Sequence, residues 1–190
     1  MATTTQRLTL EEFLNDDDGT EIIYELAAGE RVEMPPESTR NIQITFFLIA
    51  QFLKLLPAKR LTNKTEIVTA PSTIRIPDLM VLSEELEAAL QGRPRSTIML
   101  DMPPPLLVVE VASPGKRNQD RDYRYKRSEY AVRGIVEYWI IDPEQEQVTV
   151  LTLVEGFYEE EVFRGGDRVQ SQFLDALALT AKQILRAEIG

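Results

Sequence analysis

Apolar positions along the chain fall into short blocks whose spacing switches between helical and extended, with proline, glycine or charge clusters between them. Thr9 followed by Glu12 has the form of a capping box and predicts a short helix from Leu10 to Asn15, ended by NDDDG. In EIIYELAAGERVEM two short apolar-rich runs flank an AAG turn, which predicts a hairpin with Glu25 and Glu33 on its strands. Pro35-Pro36 breaks that pattern. From Ser38 to Leu56, Ile42, Ile44, Phe46, Phe47, Ile49, Phe52, Leu53, Leu55 and Leu56 give broad apolar coverage, which predicts a largely buried core helix stopped before Pro57.

Two strand candidates follow, TEIVTA and STIRIPDLMVLS, the second with Pro77-Asp78 at its centre. Proline removes a ladder hydrogen bond, so an edge or a bulge is expected there. A short helix from Ser83 to about Leu90 and a loop rich in proline and arginine lead to LLVVEV, whose continuous apolar run reads as a strand covered on both faces. Ser113-Pro114-Gly115 turns the chain, Asn118 to Arg133 reads as a helix with Gly134 just past its end, and IVEYWIID as a central strand. Pro143 to Gln147 forms a turn, VTVLTL and the stretch from Phe157 to Phe163 are strands, and a last short strand and a helix near Leu177 to Arg186 complete the order. Helix, strands, then a helix between strands is a mixed α/β layer built on one sheet.

With 190 residues and 43% hydrophobic composition, one domain spanning 1–190 with one sizeable core is expected. No run of 18 apolar residues occurs, and MATTTQRLTLEEFL lacks a basic region followed by an apolar stretch. Neither membrane span nor signal peptide is expected, and a cytoplasmic protein is the simplest reading. The chain has no cysteine and no histidine. Disulfides, thiolate catalysis, histidine bases and Cys- or His-ligated metals are thereby excluded, which leaves carboxylates, lysine, arginine, serine and tyrosine to carry any chemistry. The net charge of −10 works against non-specific binding to a polyanion. Between Lys116 and Arg133, however, seven bases oppose three acids, a local charge of +4. That island reads either as a solvated helix face with i,i+4 pairs such as Asp122 to Lys126, or as a nucleic-acid contact to which Lys116, Arg117, Arg121 and Arg124 would contribute.

Glu110 sits inside the LLVVEV strand, where a carboxylate needs a partner or a metal. If Asp78, beside the break in the neighbouring strand, lies next to it, the two acids repel unless a divalent cation separates them. An all-oxygen ligand set suits magnesium or manganese, and the backbone carbonyl of Val111 could supply a third ligand. Lys126 is the candidate ammonium to orient or help deprotonate a nucleophile. Alternatives stand beside this. Asp78 could be a turn or cap acid, Glu110 could pair with Arg75 or Lys126 without a metal, and Asp122–Lys126 could be a helix salt bridge. Tyr130, Tyr138 and Trp139 read as packing aromatics, Ser113 as a turn residue, and Glu25 and Glu33 as weak candidates for an extra ligand.

The ordered motifs IPDLMVLS, LLVVEVASP, DYRYKRSEY and GIVEYWIIDP, with YELAAGERVEM before them, resemble the large bacterial family of restriction-endonuclease-like proteins of the PD-(D/E)XK nuclease superfamily, over about Leu8 to Leu153. The resemblance implies an αβββαβ core with a mixed sheet, an N-terminal hairpin and extra C-terminal strands. It further implies Asp78 and Glu110 as magnesium or manganese ligands, Lys126 as the catalytic lysine, and Glu25, Asp122 and Tyr130 as accessory groups. Ala112 occupies the position of the usual E-x-K lysine, so Lys126 must reach back from the following helix. Related sequences often carry a histidine near Arg40 or Asn41, and this chain has none. Two functions follow: a metal-dependent endonuclease acting on DNA, helped by a homodimer that pairs two basic helices across a duplex, or a non-catalytic nucleic-acid-binding or protein-interaction module that retains the nuclease fold.

Overall fold

A computed structural model describes residues 7–16, 19, 22–113, 115 and 121–188. Its elements run α1 (Leu10–Asn15), β1 (Tyr24–Ala27), β2 (Glu30–Glu33), α2 (Thr39–Phe52), β3 (Leu61–Thr62), β4 (Glu66–Ala70), β5 (Thr73–Arg75), β6 (Leu79–Val81) and α3 (Glu84–Leu90). They continue with β7 (Thr97–Ile98), β8 (Leu107–Val111), α4 (Arg127–Arg133), β9 (Glu137–Asp142), β10 (Gln147–Val154), β11 (Phe157–Arg164) and α5 (Ala181–Arg186). The expected order of helix, strands, crossover helix and strand is present, with the hairpin β1–β2 before it and β10–β11 after it. No helix among the described residues is long and apolar enough to cross a membrane.

The strands form two sheets where one was expected: β2-β1-β5-β4-β7 and β11-β10-β9-β8-β6-β3. The reason lies at Pro77. STIRIPDLMVLS does not run as one strand with a bulge; it splits, β5 joining the first sheet and β6 the second. A residue with fixed φ and no N–H ends one ladder, and the chain crosses to the next within three residues.

The second sheet carries the main core. Leu79, Val81, Leu107, Val109, Val111, Trp139 and Ile141 face α2 and α5, while Met80, Val108, Ala112, Tyr138 and Ile140 face α3 and α4. Both faces are covered, which is why β8 and β9 read as unbroken apolar runs. These two strands are parallel, with Leu107 opposite Glu137 and Val111 opposite Ile141, so the chain must cross over between them, and the segment ending in α4 does so. A π-helical turn over Arg121–Lys126 leads into α4, and Gly134, at φ +80°, lets the chain turn out of it.

Some expectations need correction. α2 is not buried all round: it presents the stripe Asn41, Ile44, Thr45, Leu48 and Phe52, while Phe46 is 63% exposed, because a helix lying on one sheet face covers only one side of itself. The final strand reduces to one bridge, Arg168 to Thr180, and α5 begins at Ala181 because the buried Leu177 and Leu179 lie in an irregular run before it. β3 and β7, two residues each, are too short to leave a pattern. Of the predicted helix from Asn118, residues 118–120 lie outside the described residues.

Candidate active site

The antiparallel register of β6 on β8 pairs Leu79 with Val109 and Met80 with Val108. One further step along that register sets Asp78 opposite Glu110. Glu110 alternates with Val109 and Val111 and shares the face of Val108, so its side chain leaves the sheet on the α4 side, while Asp78, in the irregular segment just before β6, turns its carboxylate to the Val111 N–H. Asp78 is buried: Oδ2 accepts the Val111 N–H at 2.7 Å, and Oδ1 meets the Lys64 ammonium at 2.7 Å. Burial works against its charge, but Lys64, the contact with Glu37 and the Val111 amide outweigh it and hold the carboxyl below its ordinary range.

Glu110 is held from the other side. Its Oε1 accepts the Tyr130 hydroxyl at 2.7 Å and lies 2.7 Å from the Lys126 Nζ. Lys126 was expected to turn back toward the strand, and it does: at 1% exposure its ammonium is also 3.5 Å from Glu25 Oε1. The π-helical turn precedes α4 directly, and Lys126 is its last residue. Tyr130, fully buried beside Glu110, has its phenol pushed well above the ordinary value, first by burial and then by the carboxylate, so it remains a donor. It also stacks edge-on against Tyr138 at 5.0 Å, as a packing aromatic does.

Glu25, from the hairpin, joins this group to the first sheet. Its Oε2 accepts from Arg75 at 2.9 Å and its Oε1 from the Ile76 N–H at 3.2 Å. Arg75 in turn forms a two-pronged pair with Glu129 on α4, both bonds 2.7 Å. Burial disfavours the guanidinium's charge, yet the flanking carboxylates raise its pKa. Arg75 therefore pairs with Glu25 and Glu129, while Glu110 takes Lys126.

Two further residues at this site were not read from the sequence. Lys64, in the loop between β3 and β4, binds Glu37 as well as Asp78, and Glu37 and Asp78 touch each other. Glu37 is raised by burial and by Asp78, against the pull of Lys64. Lys64 is raised because the two carboxylates outweigh its burial. Lys64 lies 27 positions from Glu37 and 14 from Asp78, and the two newcomers sit in loops where no periodicity could have marked them. Glu37, Lys64 and the exposed Glu33 line a cleft of about 320 Å³ with Ile22, Ile23 and Met34. Asn41, near the position where related sequences carry a histidine, is buried and donates to the Val111 carbonyl at 3.3 Å and to Ser113 Oγ at 3.4 Å.

The basic island divides. Arg124 is exposed, but Arg127 is bonded to the Tyr158 carbonyl at 2.9 Å and Arg133 to the Met99 and Met102 carbonyls at 2.9 and 2.7 Å, so part of the segment serves the fold. Lys116, Arg117 and the side chains of Arg121 and Asp122 lie outside the described residues.

The connected groups comprise five acids, Glu25, Glu37, Asp78, Glu110 and Glu129, and three cations, Lys64, Arg75 and Lys126. Fully ionised, they leave two negative charges around the start of β6 and the end of β8. Oxygen donors in that balance fit a hard divalent cation, with Asp78, Glu110 and the Val111 carbonyl as the candidate ligands. Among the described residues no three histidine, cysteine or acidic side chains are grouped as a ready-made metal cage.

A mixed α/β fold with paired acids at Pro77-Asp78 and Glu110 and a buried lysine behind them is the restriction-endonuclease-like class. Residues 10–182 match the Uma2 family, described as "Putative restriction endonuclease", and the chain belongs to that family. A solved structure with the same fold, described as a "putative nuclease belonging to DUF820" from Anabaena variabilis ATCC 29413, superposes with a TM-score of 0.74 at 18% identity, covering 95% of this chain and 98% of that one. No curated protein matches the chain by sequence. Family and fold together support a nuclease-like function.

Proposed function

We propose that this chain is a single-domain, metal-dependent endonuclease that hydrolyses DNA phosphodiester bonds. The observation that carries the reading is the placement of Asp78 just ahead of the Leu79–Val109 pair, next to Glu110 on β8 and bonded to the Val111 N–H, with the Lys126 ammonium buried 2.7 Å from Glu110. Asp78, Glu110 and the Val111 carbonyl would hold magnesium or manganese. When bound, such an ion supplies a Lewis acid for a phosphoryl oxygen and lowers the pKa of a ligated water. Tyr130 fixes the rotamer of Glu110 through its hydroxyl, and the Lys126 Nζ, held between Glu110 and Glu25, orients the attacking water or exchanges a proton with it. Glu25 is the positioning residue that keeps the ammonium charged and aimed. Arg124, with Lys116, Arg117 and Arg121 in the same segment, supplies phosphate contacts on an otherwise acidic chain.

The test is calorimetric titration of manganese into the protein and into Asp78→Ala/Glu110→Ala, with circular dichroism to verify folding and plasmid DNA to report cleavage. The expected result is metal binding and plasmid nicking in the parent and loss of both in the double variant. A folded parent that binds no metal and leaves the plasmid intact would establish the non-catalytic module instead.

A further inference from the structure

Lys64 places a positive charge where Asp78 would meet a metal ion. Its ammonium is 2.7 Å from Asp78 Oδ1 and also binds Glu37, whose carboxylate touches that of Asp78. Two carboxylates in contact need a cation between them or beside them. Lys64 supplies it from a side chain that is one-third exposed, so the ammonium can leave toward solvent without crossing the core. Its backbone is held in the left-handed region at φ +54°, uncommon for a residue other than glycine, with its N–H bonded to the Pro77 carbonyl at 3.3 Å. The same short segment, 77–78, thus anchors both the backbone and the ammonium of Lys64. Lys126 differs: it is 1% exposed, and its carboxylates are Glu110 and Glu25.

We propose that Lys64 is a resident counter-ion at the metal position: it holds Asp78 and Glu37 together in the metal-free protein, and a divalent cation entering the site displaces it, gaining Glu37 as a further carboxylate ligand. The proposal rests on the metal-site reading above and adds to it a competitor and a ligand outside the family motifs. Binding of the ion is an exchange of one cation for another, so its affinity is lower than the bare carboxylates would give. The released ammonium swings toward the cleft lined by Glu33, Met34 and Glu37.

The experiment is manganese titration by calorimetry, at fixed pH and salt, on the parent, Lys64→Met, Lys64→Arg and Lys64→Met/Glu37→Gln, each verified by thermal melting. Removing the competing charge should tighten manganese binding by about tenfold or more in Lys64→Met. Lys64→Arg should stay near the parent, and Glu37→Gln should cancel much of the gain. Should Lys64→Met melt too low to titrate, Lys64→Gln replaces it with the same expectation. Unchanged or weaker binding on removal of the charge, or no binding in any variant, overturns the proposal. Tighter binding in Lys64→Met with no plasmid cleavage by any protein would keep the counter-ion and reject the nuclease. Cleavage by the parent with affinity indifferent to Lys64 would do the reverse.

Discussion

Two buried glutamates on opposite faces of the same sheet have opposite surroundings. Glu137, the first residue of β9, is wholly buried and accepts three bonds of 2.7 Å, from Trp139 Nε1, Ser171 Oγ and the Gln172 N–H. All three donors are neutral and fixed by the fold. Glu110, on the neighbouring strand, is buried against an ammonium and a phenol, and the Val111 N–H that follows it is bonded to a second carboxylate, Asp78. Burial alone therefore does not mark a reactive carboxylate. A glutamate satisfied by backbone and packing groups is a clasp; one matched to a cation, beside another acid, is a site whose charge can be redistributed.

The contrast can be broken most forcefully at Glu137. Glu137→Ala strands the buried Trp139 indole N–H, removes the acceptor of the half-buried Ser171 hydroxyl and of the Gln172 N–H, and should cost roughly 4 kcal/mol in urea unfolding, since an unsatisfied buried group costs about 1–3 kcal/mol and each lost bond about 1. Its DNA cleavage, where the protein remains folded, should be close to the parent's. Next is Lys126→Met, which leaves Glu110 buried without its ammonium and should lose about 3 kcal/mol by the same assay. Glu110→Gln/Lys126→Met should recover most of that stability yet cleave no plasmid; a stable double variant that still cuts DNA would make Glu110 a clasp like Glu137.

The smallest effect is on pH dependence. Asp78 is held below its ordinary range, so the stability it contributes is present above the unfolded value and is lost as pH falls through the folded one. Glu37 is raised, so its term has the opposite sign: present below its unfolded value and lost as pH rises through the folded one. Asp78→Asn should destabilise at neutral pH and Glu37→Gln should not, and the two should converge only in acid well below the ordinary carboxyl value of about 4, where Asp78 is protonated in the folded protein as well. Equal slopes for both variants in denaturation across that range would refute the pairing.

Much of this was legible in the sequence, for physical reasons. Apolar runs with both faces covered marked β8 and β9, and a capping box fixed the start of α1, where Thr9 and Glu12 bond reciprocally. Asp78, Glu110 and Lys126 were found because motif order survives where spacing carries little information. What escaped depends on contacts between loops. Lys64 and Glu37 sit in irregular segments, and Glu137 looked like any glutamate at a strand's edge until residues 171 and 172 folded against it. The reading of the basic segment as one surface missed that Arg127 and Arg133 are tied to backbone carbonyls of the fold, because charge along a chain says nothing about which way a helix aims it.

The layer that seals the α2 face of the main sheet includes Leu174, Leu177, Leu179, Ile184 and Leu185. During synthesis, Glu25, Glu37, Lys64, Asp78, Glu110 and Lys126 all leave the ribosome before that layer exists. Strands β8 and β9 then present one greasy side that α2 covers only in part, while the charged cluster on the other is already encoded. Maturation of the site therefore waits on residues that never touch it, and the nascent chain passes through an interval in which its chemistry is written but not yet braced.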